Sequence, residues 1–326
     1  MMKAISYERY GPPEVLNLKD LEKPQPKANE LLIKVQAAEV TKADCELRSF
    51  KLPVNWTWLP MRIAIGFRKP RKQVLGMYFA GEVEAMGQNV SQFKKGDQIF
   101  GSSAFRLGAY GEYVCLPETY TVVPMPDNVS FEEAASIPLG GLNALHFLRL
   151  AKLQWGEKVL INGAGGSIGI VAIQLAKTMG AEVTAVDSDV KEEMLQNIGA
   201  DHFIDYRKED FSNGGQTYDV ILSMVASTPY SRVIRVLNPG GRYLLANPRL
   251  VDMMRAGFSS SFTDKKVIFA FAKETKEELL TLKTMIEQGK LKPVIDGVFP
   301  MSKAAEAHGR VETEQRLGSV IISMQA

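Results

Sequence analysis

Residues 159–189, VLINGAGGSIGIVAIQLAKTMGAEVTAVDSD, leave few architectures open to this chain. A β-branched run ends in a cluster of small residues, a stretch with helical spacing follows, and a second β-branched run stops at Asp187. Such a strand–turn–helix–strand unit joins two parallel strands, and parallel strands need helices on both faces of their sheet. The alternation continues on either side. Strands are expected at 158–162 and 182–186, helices at 168–179 and 191–198. HFIDY and YDVILSMV follow as strands, then a helix to Leu237, then GRYLLAN and VIFAFA (267–272) as further strands. The fold class is therefore α/β with a doubly wound parallel sheet.

The turn itself reads Ala164-x-Gly166-x-x-Gly169. Small residues here let the backbone approach a pyrophosphate, the last glycine lets helix and strand pack closely, and the helix start offers its N–H groups to the anion. Alone the string is only a glycine-rich turn; a strand before it, a helix after it and an acid at the end of the next strand make it a dinucleotide fingerprint. Ala164, Gly165, Gly166, Ser167, Ile168 and Gly169 are the candidate cradle. Asp187 stands 18 residues past Gly169, where a carboxylate accepts from the adenosine ribose hydroxyls and repels a 2′-phosphate. Two unit charges about 4 Å apart at an effective dielectric near 20 repel by roughly 4 kcal/mol. NADH is therefore expected over NADPH; the alternative reading of Asp187 is a solvated strand-end carboxylate.

Residues 1–120 have a different texture. ELLIKVQAAEV, FAGEVEAMG and GDQIFGSS are short strands bounded by Gly, Pro or Asn, the pattern of an irregular barrel. A helix is expected from Ser130, with Glu133 completing a capping box. After the sheet come an amphipathic helix (273–288), a strand PVIDGVFP, a helix from Ser302 and a closing strand GSVIISM. Short junctions imply two domains sharing a cleft.

Charge and cysteine content exclude several functions. The net charge of +2 argues against a nucleic-acid partner. Two cysteines, Cys45 and Cys115, exclude a disulfide framework and a cysteine-rich metal site and suit a reducing compartment. The start MMKAISYERYG has no apolar leader, and the uncharged stretch 159–176 is broken by Asn162, Ser167, Gln174 and its glycines, so a cytoplasmic protein without stable membrane insertion is expected.

With MKAISYERYGPPEVL, LGMYFAGEVEAMGQNVSQFKKGDQIFG, SFEEAASIPLGGLNAL, GADHFIDY, LNPGGRY and GKLKPVIDGVFP beside the turn, nearly the whole chain resembles the medium-chain dehydrogenase/reductase superfamily in its zinc-free quinone oxidoreductase branch. The resemblance implies a GroES-like catalytic domain (1–122 and 273–326), an inserted Rossmann domain (123–272), and hydride transfer to a small molecule. Zinc-dependent cousins carry a Cys and a His where this chain has Thr41 and Met77, so no metal is expected; neither residue is a plausible zinc ligand. His146, His202 and His308 show no ligand spacing. Relatives commonly place Ser and Arg after the second strand for a 2′-phosphate; this chain has Asp187-Ser188-Asp189-Val190, with Ser188, Lys191 and Tyr206 left to contact the adenosine end. Where the branch usually has Asn-x-x-Asp, this chain has Thr41-x-x-Asp44, and Tyr78 replaces a frequent Asp.

The resemblance makes Thr41, Tyr78 and Asn143 the candidates to line the substrate site, with Asp44 a buried hydrogen-bond anchor. The expected activity is zinc-independent, NAD(P)H-dependent reduction of a quinone or an α,β-unsaturated carbonyl. An alcohol dehydrogenase or carbonyl reductase, and a coenzyme-binding redox sensor with little turnover, are the rivals. A homodimer is expected through VIFAFA, which as an exposed edge strand would invite aggregation. Residues 51–76 carry two tryptophans and then Arg62, Arg68, Lys69, Arg71 and Lys72. They read as a solvated loop with packed tryptophans, as a mobile wall of the substrate site, or as an interfacial membrane contact.

Overall fold

A computed structural model of the chain describes residues 1–52, 54–269 and 272–325, without the side chains of 257–262. The contacts divide it into two compact units, Met1–Leu52 with Leu59–Leu139 and Glu274–Ala326, and Pro53–Trp58 with Gly140–Lys273.

The first unit is built on the strand Glu30–Val40, buried along almost its whole length. One edge pairs with Tyr78–Met86 through two register shifts, at Leu32/Ile33 and Val35/Ala37. The other edge is shared: Tyr113–Pro117 takes residues 30–34 and Ser319–Ser323 takes residues 37–40. Extra residues in a ladder bend a strand and raise its twist. The sheet runs Ile295–Pro300, Ser319–Ser323, Glu30–Val40, Tyr78–Met86, Gln98–Ser102, Val122–Pro124 and is antiparallel except for its first pair. Leu31, Ile33, Val35, Phe79, Ile99 and Val320 form its core. This is the irregular β-domain expected from the sequence.

The helix expected from Ser130 is two helices, Phe131–Ala135 and Pro138–Ala151. Ser130 and Glu133 form the expected capping box. The break falls at Pro138, which has no N–H to continue a helix but is suited to open one. Phe131–Ala135 packs on the strands Glu30–Val40 and Tyr78–Met86, so residues 123–139 group with the first unit, whereas the sequence reading put them in the second domain.

The second unit holds six parallel strands in the order His202–Asp205, Glu182–Asp187, Lys158–Asn162, Tyr218–Ser223, Leu237–Leu245, Lys266–Ile268. The order reverses between Lys158–Asn162 and Tyr218–Ser223, and in such sheets the crevice at that reversal, beyond the strands' carboxyl ends, takes the ligand. The fifth strand starts earlier than GRYLLAN suggests. Leu237 pairs with Tyr218 and Arg242 with Val220, so the intervening residues loop out around Gly240 at φ 71°. Of the strand expected over 267–272, Lys266–Ile268 is seen at the sheet edge; Ala270 and Phe271 lie outside the described residues.

One surface of the first unit carries a pH-dependent term. Burial pushes the Glu46 carboxyl, on helix Lys42–Ser49, up to about 7; Lys42 opposes this and Glu314 adds to it. The folded state then holds the proton more tightly than the unfolded chain. Its contribution is fully present below the unfolded value near 4.3 and is lost as the pH rises toward 7. Glu46→Gln is expected to stabilise the protein by about 1–2 kcal/mol at pH near 8 and to change little near pH 4. Thermal melts of both proteins across that range check it.

Candidate functional site

Strand Lys158–Asn162 delivers the chain to Gly163, whose φ of 84° turns it toward helix Ser167–Thr178. Gly166 is the N-cap of that helix, and no side chain caps it. The glycines differ in what they leave open. A Cβ on Gly169 would lie 2.6 Å from the Ala164 Cα and 2.7 Å from its carbonyl carbon, so helix and turn meet backbone to backbone. A Cβ on Gly166 would find only the Gly163 carbonyl, at 3.6 Å. A helix start without a side-chain cap, behind a cradle closed at Gly169 and open at Gly166, fits the pyrophosphate of a dinucleotide.

Asp187 is 8% exposed and is no solvated strand end. Its Oδ2 accepts from the Gly165 N–H at 2.8 Å and its Oδ1 from the Ser188 N–H at 2.8 Å. The buried Lys191 ammonium stands 3.0 Å from Oδ1. A Cβ on Gly165 would press on the Lys191 side chain and come within 3.1 Å of Asp187 Oδ2, so the turn closes over this ion pair. Tyr206 donates its N–H to the Asp187 carbonyl at 3.2 Å and exposes its ring, with the Arg207 guanidinium 5.8 Å from the ring centre. Ala164 to Gly169, Asp187, Ser188, Lys191 and Tyr206 thus come together in one unit.

Asn143 belongs to the same unit, half-buried on helix Pro138–Ala151. At Gly140 that helix approaches the coenzyme-type helix closely: a Cβ there would stand 3.0 Å from the Ser167 carbonyl carbon and 2.9 Å from Val171 Cγ2. Asn143 is one turn further along, and residues three apart share a helix face.

Thr41 and Tyr78 lie in the first unit, each tied to a carboxylate. Thr41 is the fully buried N-cap of helix Lys42–Ser49. Its hydroxyl stands 2.6 Å from Asp44 Oδ2, its N–H donates to the same oxygen at 3.1 Å, and it accepts from the Asp44 N–H at 3.0 Å. Gly76 N–H donates to Asp44 Oδ1 at 3.1 Å. Burial pushes the Asp44 carboxyl up, against these donors and Tyr110. Asp44 is the buried anchor expected. Tyr78 donates its hydroxyl to Glu274 at 2.6 Å, and Ser102, its register partner on the next strand, donates to the other Glu274 oxygen at 2.8 Å. Thr121 donates to the Glu274 carbonyl. The three hydroxyls hold Glu274 at φ 47°, a left-handed conformation costly for a side chain of its size. Burial and then the Glu274 charge push the Tyr78 phenol well up.

Glu274 and the Lys191–Asp187 pair escaped the sequence reading. Lys191 sits four residues after Asp187, beyond the end of its strand, so helical spacing does not signal the ion pair; Glu274 has no local signal. A third pairing joins residues 263 positions apart: Cys45 Sγ lies 3.3 Å from His308 Nδ1. Burial pushes the thiol up to about 12 and the imidazole down to about 3, so both are neutral, unlike an activated nucleophile pair. Among the described residues no group of three His, Cys, Asp or Glu side chains is placed to hold a metal.

Comparison with known proteins gives consistent matches. Residues 27–127 match the model of the alcohol dehydrogenase GroES-like domain, and residues 198–322 match that of the zinc-binding dehydrogenase. A quinone oxidoreductase of Sus scrofa is 34% identical over 94% of this chain and 93% of its own length. An NADPH-dependent alkenal/one oxidoreductase of Arabidopsis thaliana is 30% identical over 98% of this chain and 79% of its own. The solved quinone oxidoreductase of Coxiella burnetii superposes with a TM-score of 0.88, covering 99% of each chain at 29% identity.

Proposed function

Because the chain belongs to the medium-chain dehydrogenase/reductase superfamily, in its quinone oxidoreductase branch, we propose that it reduces a quinone or an α,β-unsaturated carbonyl with NAD(P)H and without zinc. The observation that carries this reading is the cradle closed at Gly169, open at Gly166 and flanked by the buried Asp187. When bound there, the coenzyme supplies the hydride. The chain's own residues hold the pyrophosphate at the helix start and the ribose at Asp187, exclude water, and donate a hydrogen bond to the substrate oxygen.

The zinc-independent part rests on Thr41 and Met77, which stand where zinc-dependent relatives have ligands and offer a metal no suitable donor pair. Oxidising an alcohol needs an alkoxide stabilised, which zinc does as a Lewis acid. Charge developing on a conjugated oxygen asks less, and neutral donors suffice. The test is a panel of quinones, enones, ketones, aldehydes and alcohols at fixed coenzyme, with metal analysis of the purified protein. Quinones or enones are expected to turn over at least about tenfold faster than simple ketones. Metal-independent oxidation of simple alcohols would move the protein to the dehydrogenase class; turnover with none of them would leave a coenzyme sensor. Stoichiometric zinc with activity lost to chelator would overturn the metal-free reading.

The three donors divide by where their protons go. Thr41 and Tyr78 each direct a single hydroxyl proton at a carboxylate. An amide carries two N–H donors and an acceptor, so Asn143 can serve its own surroundings and a substrate oxygen at once. Asn143 is therefore the donor of this reading.

NADH is the favoured coenzyme, because Asp187 repels a 2′-phosphate. The Lys191 ammonium offsets part of that charge, which puts the expected preference in kcat/KM near tenfold, about 1.4 kcal/mol. Asp187→Ser with Val190→Arg should narrow or reverse it, and Lys191→Ala should widen it. Equal use of both coenzymes by the natural chain would show that Asp187 does not face the ribose. A homodimer through the Lys266–Ile268 edge completes the proposal; a monomeric mass in solution at micromolar concentration would count against it.

A further inference from the structure

Helix Trp58–Ile65 is apolar except for Arg62, and the first unit uses only one side of it. Met61 and Ile65, one turn apart, pack into the core of that unit. Arg62 lies over the Phe50 ring, 3.6 Å from its centre, and donates to the Phe67 carbonyl at 2.8 Å. The opposite side faces out: Leu59 is 55% exposed, Ile63 62%, and Phe67, just past the helix end, 62%. A helix apolar all round is normally covered all round. Scattered exposed apolar side chains mean little, but a cluster marks a contact surface.

What rims this cluster decides the partner. Arg68, Lys69, Arg71 and Lys72 follow directly and are all exposed. Lys72 donates to the carbonyls of Phe105 and Arg106 at 2.6 and 3.2 Å, which ties the loop carrying the Phe105 ring, 69% exposed, to the basic segment. No acidic residue occurs anywhere from Leu47 to Gly81. Glu8, the carboxylate that Lys69 influences, is already paired with Lys19 at 2.6 Å.

We propose that this surface docks on an anionic lipid leaflet, with Leu59, Ile63, Phe67 and Phe105 entering the headgroup boundary and Arg68, Lys69, Arg71 and Lys72 meeting lipid phosphates and carboxylates. A lipid surface answers both halves of the surface at once, apolar interior to the side chains and fixed anions to the cations. A second copy of the chain does not, because a two-fold axis would set the same four cations against themselves. No described helix is long and apolar enough to cross a membrane, so the contact is shallow and reversible. The inference is independent of the coenzyme and substrate proposed above.

Sedimentation of the full-length protein with vesicles tests it. Phosphatidylcholine vesicles containing phosphatidylserine should carry the protein down, and vesicles of phosphatidylcholine alone should not. Raised salt should release it. Each cation near an anionic leaflet contributes roughly a fivefold factor in partitioning, so Arg68→Ser with Lys69→Ser should weaken binding more than tenfold. Ile63→Asp, a change at an exposed position, should weaken it as strongly. Both variants should keep the melting temperature and coenzyme binding of the natural chain. Absence of binding, equal binding to both vesicle types, or unchanged binding of the two variants would overturn the proposal. So would a solution dimer that Ile63→Asp splits, which would make the surface an interface between copies.

Discussion

Gly166→Ala is expected to give a protein that folds normally and binds NAD(P)H more than tenfold less tightly, while Gly169→Ala is expected to fold but melt several degrees lower. The two glycines are three positions apart in one motif, yet they face different neighbours. A methyl group on Gly166 meets only a carbonyl at 3.6 Å within the protein. It would stand where a pyrophosphate must approach the backbone, so its effect appears only with coenzyme present. A methyl group on Gly169 meets the Ala164 backbone at 2.6–2.7 Å, and backbone cannot rotate away as a side chain can. Overpacking of this kind costs about 3 kcal/mol, roughly 6–12 °C in melting temperature for a chain of this size. Thermal melts with and without coenzyme, beside a fluorescence titration, separate the effects. Two variants that fail together, in stability or in binding alone, would show that the cradle does not divide this way.

The second large effect is expected at Asn143. Asn143→Ala should lower kcat about 10²–10³-fold, the usual cost of removing one donor to a developing oxyanion, with coenzyme affinity little changed. Alanine is compatible with helix Pro138–Ala151, so the fold should survive. Thr41→Val is expected to behave differently. It removes a helix cap and one donor to the buried Asp44, costing about 1–2 kcal/mol of stability with kcat within a few-fold. Tyr78→Phe leaves Glu274 one hydroxyl short and should also act mainly on stability. Steady-state kinetics and melts on the three proteins decide the matter. A loss of kcat at Thr41 or Tyr78 equal to that at Asn143 would return the donor role to them.

Local signals in the sequence carried far where the physics is local. The small-residue turn, the acid closing the next strand and the Ser130–Glu133 capping box each act across a few residues or one strand–helix–strand unit, and each is where the sequence placed it. Pro138 was an equally local signal that a longer apolar pattern overrode; its missing N–H divides one expected helix into two. The pairings that were not legible are long-range. Tyr78 meets Glu274 across 196 residues and Cys45 meets His308 across 263. Only the folded unit brings them together, and no spacing rule reaches that far. Thr41 and Tyr78 are candidates by their positions in the resemblance, and the destination of a hydroxyl proton depends on a partner the sequence does not show.

Quinones and enones are electrophiles that alkylate thiolates, and a protein that handles them is exposed to its own substrate. This chain has two thiols, Cys45 and Cys115. Both are buried, and burial pushes them up to about 12 and about 11. At neutral pH almost none of either is the reactive anion. Brief incubation of the folded protein with benzoquinone should leave both cysteines unmodified in a peptide mass map, and unfolding should open both thiols to adducts. The burial of Cys45 against His308 and of Cys115 within the sheet thus works as chemical armour, letting the enzyme survive repeated encounters with molecules that inactivate exposed cysteines.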